Sequence, residues 1–119
     1  MKAHPRIQDR EGEQAQPRSF SEETVESLAA TMRVLADPTR IRLLEALNAR
    51  GKTTVSALAS CLPLTQQGVS HQLGILFRAG VVRRRREGAW VHYELRDWTG
   101  WWVLEQLAGG LEDSDSRPG

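Results

Sequence analysis

The side chains best suited to recognition chemistry in this 119-residue sequence are short, polar and uncharged: Thr65, Gln66, Gln67, Ser70 and His71. A glutamine can make paired hydrogen bonds to an adenine edge, and Ser and His can donate or accept at a base edge or a phosphate. No charged residue falls between Thr65 and Phe77, whereas a merely solvated helix face usually carries Lys and Glu. A second group is the run Arg83, Arg84, Arg85 and Arg86. Arginines near a hairpin tip suit phosphate contact or insertion into a minor groove, where negative potential is concentrated. Strand alternation sends two of the four one way and two the other. Arg85 and Arg86, nearest the tip, are the first candidates for contact.

The charge pattern points the same way. The net charge is only +1, from 16 Lys or Arg against 15 Asp or Glu, but the distribution is uneven. From Ala46 to Arg86 there are seven Lys or Arg and no acid. Such a stretch suits a surface that faces a polyanion, because each carboxylate there would repel phosphate. The expected partner is double-stranded DNA.

Other chemistries fare worse. His4, His71 and His92 fall in an aperiodic arm, on a polar helix face and on the outer side of a strand. No Ser, Cys or carboxylate stands at a spacing that suggests a nucleophile and its base, and no glycine-rich phosphate loop is present. The expectation is a protein that is not an enzyme and carries no cofactor. The single Cys61 excludes an internal disulfide framework and a paired-cysteine zinc finger. It reads as a small packing residue, with a disulfide between protomers the less favoured alternative. No run approaches the roughly 18 apolar residues of a spanning helix, and Met1 to Arg18 has no apolar segment of a secretory signal. The expectation is a cytoplasmic protein with no membrane partner.

These side chains need a frame, and the apolar pattern supplies one. Residues 1–18 lack periodicity and read as a disordered arm. Ser21 predicts a helix cap, with Phe20 packing on Val25 and an apolar stripe through Leu28, Ala29, Met32, Leu35 and Ala36. Asp37-Pro38 ends that helix and starts a second, with Ile41, Leu44 and Leu47 inward and Gly51 as its stop. Thr54 caps a third, short helix that Pro63 ends, and a fourth runs from Thr65 to Gly80 with Val69, Leu73 and Leu76 inward. The last two form a helix-turn-helix. The period then switches to alternation, giving a two-stranded hairpin with Gly88 at its turn. Asp97 caps a last helix frayed at Gly109-Gly110, and residues 112–119 read as a disordered acidic tail. The fold class is mainly α with a small hairpin, in the order α-α-α-α-β-β-α. It is a winged helix-turn-helix spanning residues 19–111.

Trp98, Trp101, Trp102 and Leu104 crowd a terminal element that so small a domain has little surface to cover. The first helix carries its own stripe, including Val25, Leu28 and Met32. A homodimer interface built from both helices accounts for the two together.

With these elements placed, the sequence resembles the ArsR family of bacterial winged-helix repressors. Leu35 to Leu44 is similar to the family's opening signature. Val69-Ser70-His71-Gln72-Leu73, the Leu76 to Val82 stretch, Arg86-Glu87-Gly88 and Val91 to Leu95 match its recognition helix and wing. The resemblance covers roughly residues 25–108 and implies a homodimer that binds a palindromic operator until an effector releases it. The family's Cys-Val-Cys metal site aligns with Thr54-Val55-Ser56, which has no thiolate. Its last-helix site aligns with Asp97, Thr99, Gly110 and Asp113, where two of four positions have ligand chemistry. The usual metal sites are thus expected to be absent and the effector unknown. A dimeric winged-helix module that binds a protein partner is the alternative.

Overall fold

The computed structural model describes residues 17–96 and 98–116, without the side chains of residues 98, 99 and 114–116. The elements are α1 Glu22–Leu35, α2 Pro38–Arg50, α3 Val55–Cys61, α4 Gln66–Arg78, β1 Val82–Glu87, β2 Trp90–Leu95 and α5 Trp98–Ser116. The order and the winged helix-turn-helix architecture match the sequence reading.

Four of the helices begin at side-chain caps. Ser21, Asp37, Thr54 and Thr65 each accept from the backbone N–H three residues on, those of Thr24, Arg40, Ala57 and Gly68. Each bond satisfies one of the amide donors that a helix start leaves without a partner. At the far end of α4, Gly80 has a φ of 78°. There Val81 N–H bonds to the Leu76 carbonyl and Gly80 N–H to that of Phe77. This helix stop turns the chain straight into the wing.

The hairpin pairs Val82 with Leu95 through to Glu87 with Trp90, leaving Gly88 and Ala89 as the turn. Gly88 has a φ of 64° and Ala89 is not in the left-handed region. A tight turn with glycine first matches the twist of the flanking strands. Thr53 extends this sheet: its N–H and carbonyl both bond to Tyr93, at 2.9 and 2.7 Å. The wing is therefore stitched to the start of the helix-turn-helix.

Leu43, Leu44, Leu47, Leu58, Val69, Leu73, Leu76 and Val82 are fully buried and form one core with Leu35 and Tyr93. Leu43 takes the place expected for Ile41, which lies at the surface. α2 presents a slightly rotated face, and it is in contact with the second strand of the hairpin, α1 and α5. The last helix also departs from expectation. It continues through Gly109-Gly110 to Ser116, because neither glycine leaves the negative-φ region and a propensity cost alone does not end a helix. Residues 112–116 are thus helical rather than tail. The expected arm, apart from residues 17 and 18, and residues 117–119 lie outside the described residues.

Arg40 joins three of these pieces. Its Nε donates to the Val34 carbonyl at 2.6 Å and its Nη1 to Gln72 Oε1 at 3.0 Å. Nη1 also lies 4.0 Å from the Asp37 carboxylate. The Arg40→Ala variant would leave the Val34 carbonyl and Gln72 amide without these donors, at about 1–3 kcal/mol. Denaturant unfolding should show that loss without a change in its slope.

Candidate nucleic-acid interface

α4 turns Val69, Leu73 and Leu76 into the core, which leaves Gln66, Gln67, Ser70 and His71 exposed on its other side. The sequence candidates on this helix are therefore brought together on one surface. Thr65 is exposed at the head of the helix, and its hydroxyl oxygen is engaged by the Gly68 N–H at 2.9 Å. Its hydroxyl proton is still free to meet a phosphate oxygen.

The register of the hairpin sorts the four arginines. Val82, Arg84 and Arg86 stand opposite Leu95, Tyr93 and Val91 and share their side of the sheet. Arg83 and Arg85 lie on the reverse, with Glu94 and His92 opposite. The guanidinium carbon of Arg84 sits 4.0 Å from the centre of the Phe77 ring on α4, a cation–π contact. Arg84, Arg86, Ser70, Val55, Val91 and Tyr93 line an open groove of about 640 Å³ between the recognition helix and the wing. It is Arg84 and Arg86 that the fold brings beside Ser70. Arg85, a first candidate from its nearness to the tip, faces away with Arg83, whose Nε donates to Glu94 at 3.0 Å.

The wing tip carries its own contact. Lys52 Nζ donates to Glu87 Oε2 at 2.9 Å. That bond above all holds the Glu87 carboxyl below its ordinary value; burial opposes it, and the charges of Lys52, His92 and Arg85 add smaller effects in the lowering sense. His92 Nδ1 is 3.4 Å from Glu87 Oε1. Glu87, the acid that closes the arginine run, is thus neutralised from within the chain.

Three positioning residues escaped the sequence reading: Arg40, Lys52 and Phe77. Arg40 lies within the Leu35 to Leu44 signature, but nothing local says that it reaches 32 residues along the chain to Gln72. Phe77 has no role assigned from the sequence, and only the wing's position reveals it as a platform for Arg84.

The positions of the expected interface residues are mixed. Val25, Leu28 and Met32 are close to half exposed on α1. Trp101 and Leu104 are partly buried against the chain's own core, so less of them is available to a partner than their types suggested. Trp102 is half-buried, and the side chain of Trp98 lies outside the described residues. Leu107 and Leu111, further along α5, are 53% and 69% exposed.

At the positions of the thiolate pair, the Thr54 hydroxyl caps α3 and Ser56 is exposed. Among the described residues no three His, Cys, Asp or Glu side chains come together as a metal site. Asp97 and the Thr99 side chain lie outside them.

Comparison with known proteins places this geometry. Residues 35–85 match the model of a helix-turn-helix domain family. The transcriptional repressor SmtB homolog of Synechocystis sp. is 37% identical over 102 residues, covering 86% of this chain and 76% of that protein. The chain belongs to the ArsR/SmtB family of winged helix-turn-helix transcriptional repressors. Among solved structures, the AntR antimony-specific transcriptional repressor superposes with a TM-score of 0.74 at 27% identity, covering 98% of this chain and 99% of that one. The crystal structure of Mycobacterium tuberculosis Rv0081 gives a TM-score of 0.67 at 36% identity, covering 81% of this chain and 100% of that one. The helix-turn-helix match runs from the end of α1 to Arg85, so it takes in Arg40, α3, all of α4 and the first part of the leading strand of the ArsR/SmtB wing.

Proposed function

We propose that this chain represses transcription as a homodimer bound to a palindromic operator. Each protomer lays α4 in a major groove and sets the Arg84 and Arg86 side of its wing against the adjoining backbone or minor groove. The observation that carries the reading is the groove where Ser70 meets Arg84 and Arg86, within a stretch of chain from Ala46 to Arg86 that has no acid. Gln66, Gln67, Ser70 and His71 are the base-reading candidates, and Thr65 with the wing arginines supplies phosphate contacts.

The deciding experiment compares operator and random duplex over a range of salt. Affinity for both should fall steeply as salt rises, since counterions are released from each neutralised phosphate. The double variant Arg84→Ala with Arg86→Ala should flatten that slope by about two per protomer. The matched pair Arg83→Ala with Arg85→Ala should change it less. A salt-independent wild type would refute DNA binding, and equal effects of the two pairs would refute the assigned wing face.

The dimer is proposed to form through α1 and the distal part of α5, where Val25, Leu28, Met32, Leu107 and Leu111 leave apolar surface uncovered. Trp101, Trp102 and Leu104 contribute from their outer edges. Leu28→Glu puts a charge where desolvation would be costly and spares the chain's own core. Sedimentation should then find monomer at micromolar concentration, with operator affinity lost. A variant that still sediments as a dimer would place the interface elsewhere.

The usual family metal sites have no part in this reading. Thr54 and Ser56 offer neutral hydroxyls where a soft metal needs thiolates, and Thr99 and Gly110 offer no imidazole. Calorimetric titration of the dimer with zinc should give no tight binding, and tight binding would overturn the point. The released state is then reached through an effector other than those sites' metals.

A further inference from the structure

Gln67, His71, Gly74 and Arg78 on α4 are spaced so that they share one stripe running the length of the helix, about 16 Å. Gln67, His71 and Arg78 are exposed, and Gly74 is half-buried. Glycine inside a helix is disfavoured relative to alanine, and at this position the chain itself gives no reason for it. Gly74 is not among the positive-φ glycines. Among the described residues, a Cβ there would meet only Arg78, with Nη1 at 3.4 Å and Nη2 at 4.0 Å, both ordinary contact distances. What the missing side chain leaves is a shallow notch in the middle of the outward stripe. The Arg78 guanidinium is folded back over it.

Arg78 has no ion-pair partner among the described residues. Its guanidinium brings a charge, and a planar pair of donors, to a helix face otherwise free of charge. Gln67 has the chemistry to read an adenine, but from Thr65 to Phe77 no side chain offers two parallel donors to the O6 and N7 acceptors of a guanine. An arginine does so, and it makes the commonest specific contact of that kind.

We propose that Gly74 and Arg78 form a guanine-reading element. The missing side chain at Gly74 lets the Arg78 guanidinium lie close along the outward face of α4, and from there Arg78 donates to one guanine in each operator half-site. This rests on the DNA-binding reading above and adds a base identity and a residue to it.

Selection from a pool of randomised duplexes tests both levels separately. The wild-type protein should select half-sites with one fixed G·C pair. Arg78→Ala should lose preference at that position alone, with discrimination there falling roughly ten- to a hundred-fold, while the other selected positions persist. Arg78→Lys should lose it too, because an ammonium keeps the charge without the fork. Gly74→Ala should raise Tm and yet weaken binding to the selected duplex, opposite changes that a damaged fold would not produce. If Arg78→Ala instead weakens selected and random duplexes equally and leaves every preference intact, Arg78 is a phosphate contact and the proposal fails. If Gly74→Ala leaves binding unchanged, the notch has no role and the proposal also fails. A wild-type protein that binds no duplex would defeat the DNA-binding reading itself, and the guanine assignment with it.

Discussion

One guanidinium, that of Arg40, decides how the recognition helix stands relative to the rest of the molecule. It closes the end of α1 through the Val34 carbonyl, lies beside the cap residue of α2 and reaches Gln72 on the inner flank of α4. A helix C-terminus leaves carbonyls without internal partners, so the contact with Val34 satisfies a need that exists before any function is considered. The second contact turns that local need into a long-range one. Lysine would not serve both directions at once, since its donors radiate from a single nitrogen, whereas the arginine fork holds them in a plane. Apolar burial of Leu73 and Leu76 holds α4 in the core, but such packing is non-directional. The Arg40 contact supplies direction.

On that frame the recognition surface divides its work. Up to Phe77 the helix offers hydrogen-bonding groups without charge, which in the proposed complex would discriminate among base edges and add little general attraction. The wing offers charge, which attracts any phosphate backbone. Phe77 joins the two parts, because the ring that faces Arg84 belongs to α4 itself. Stacking restricts where that guanidinium can go and lowers the freedom it would lose on meeting a ligand.

Much of this was legible in the residues. Capping side chains, Pro38 at a helix start, and the switch from a period near four to a period of two placed every element. The polar face from Gln66 to His71 needed only helical geometry. The sequence could not say which two of the four wing arginines face the helix, because nearness to the tip and side of the sheet are independent, and only the pairing of Val82 with Leu95 sets the side. Ile41 differs because periodicity gives the width of a buried stripe but not its centre, which here falls on Leu43, Leu44 and Leu47. The two glycines of α5 differ for another reason: low propensity suggests a boundary, yet glycine ends a helix reliably only where it takes a left-handed φ. Trp101 and Leu104 were assigned outward because the size of the core could not be judged before its walls were known.

The Thr53 bridge to Tyr93 and the contact from Lys52 to Glu87 hold the wing at mid-strand and at its tip to the same short connection ahead of α3. Helix-turn-helix and wing are consequently joined by more than the chain turn at Gly80, and in the proposed complex they would act as one reading head. In the proposed dimer, any adjustment to the distance between half-sites has to be made by the two heads pivoting about the α1 and α5 seam. That seam then works as the ruler for operator spacing, and a signal acting there could detune the spacing without touching a single base-reading residue.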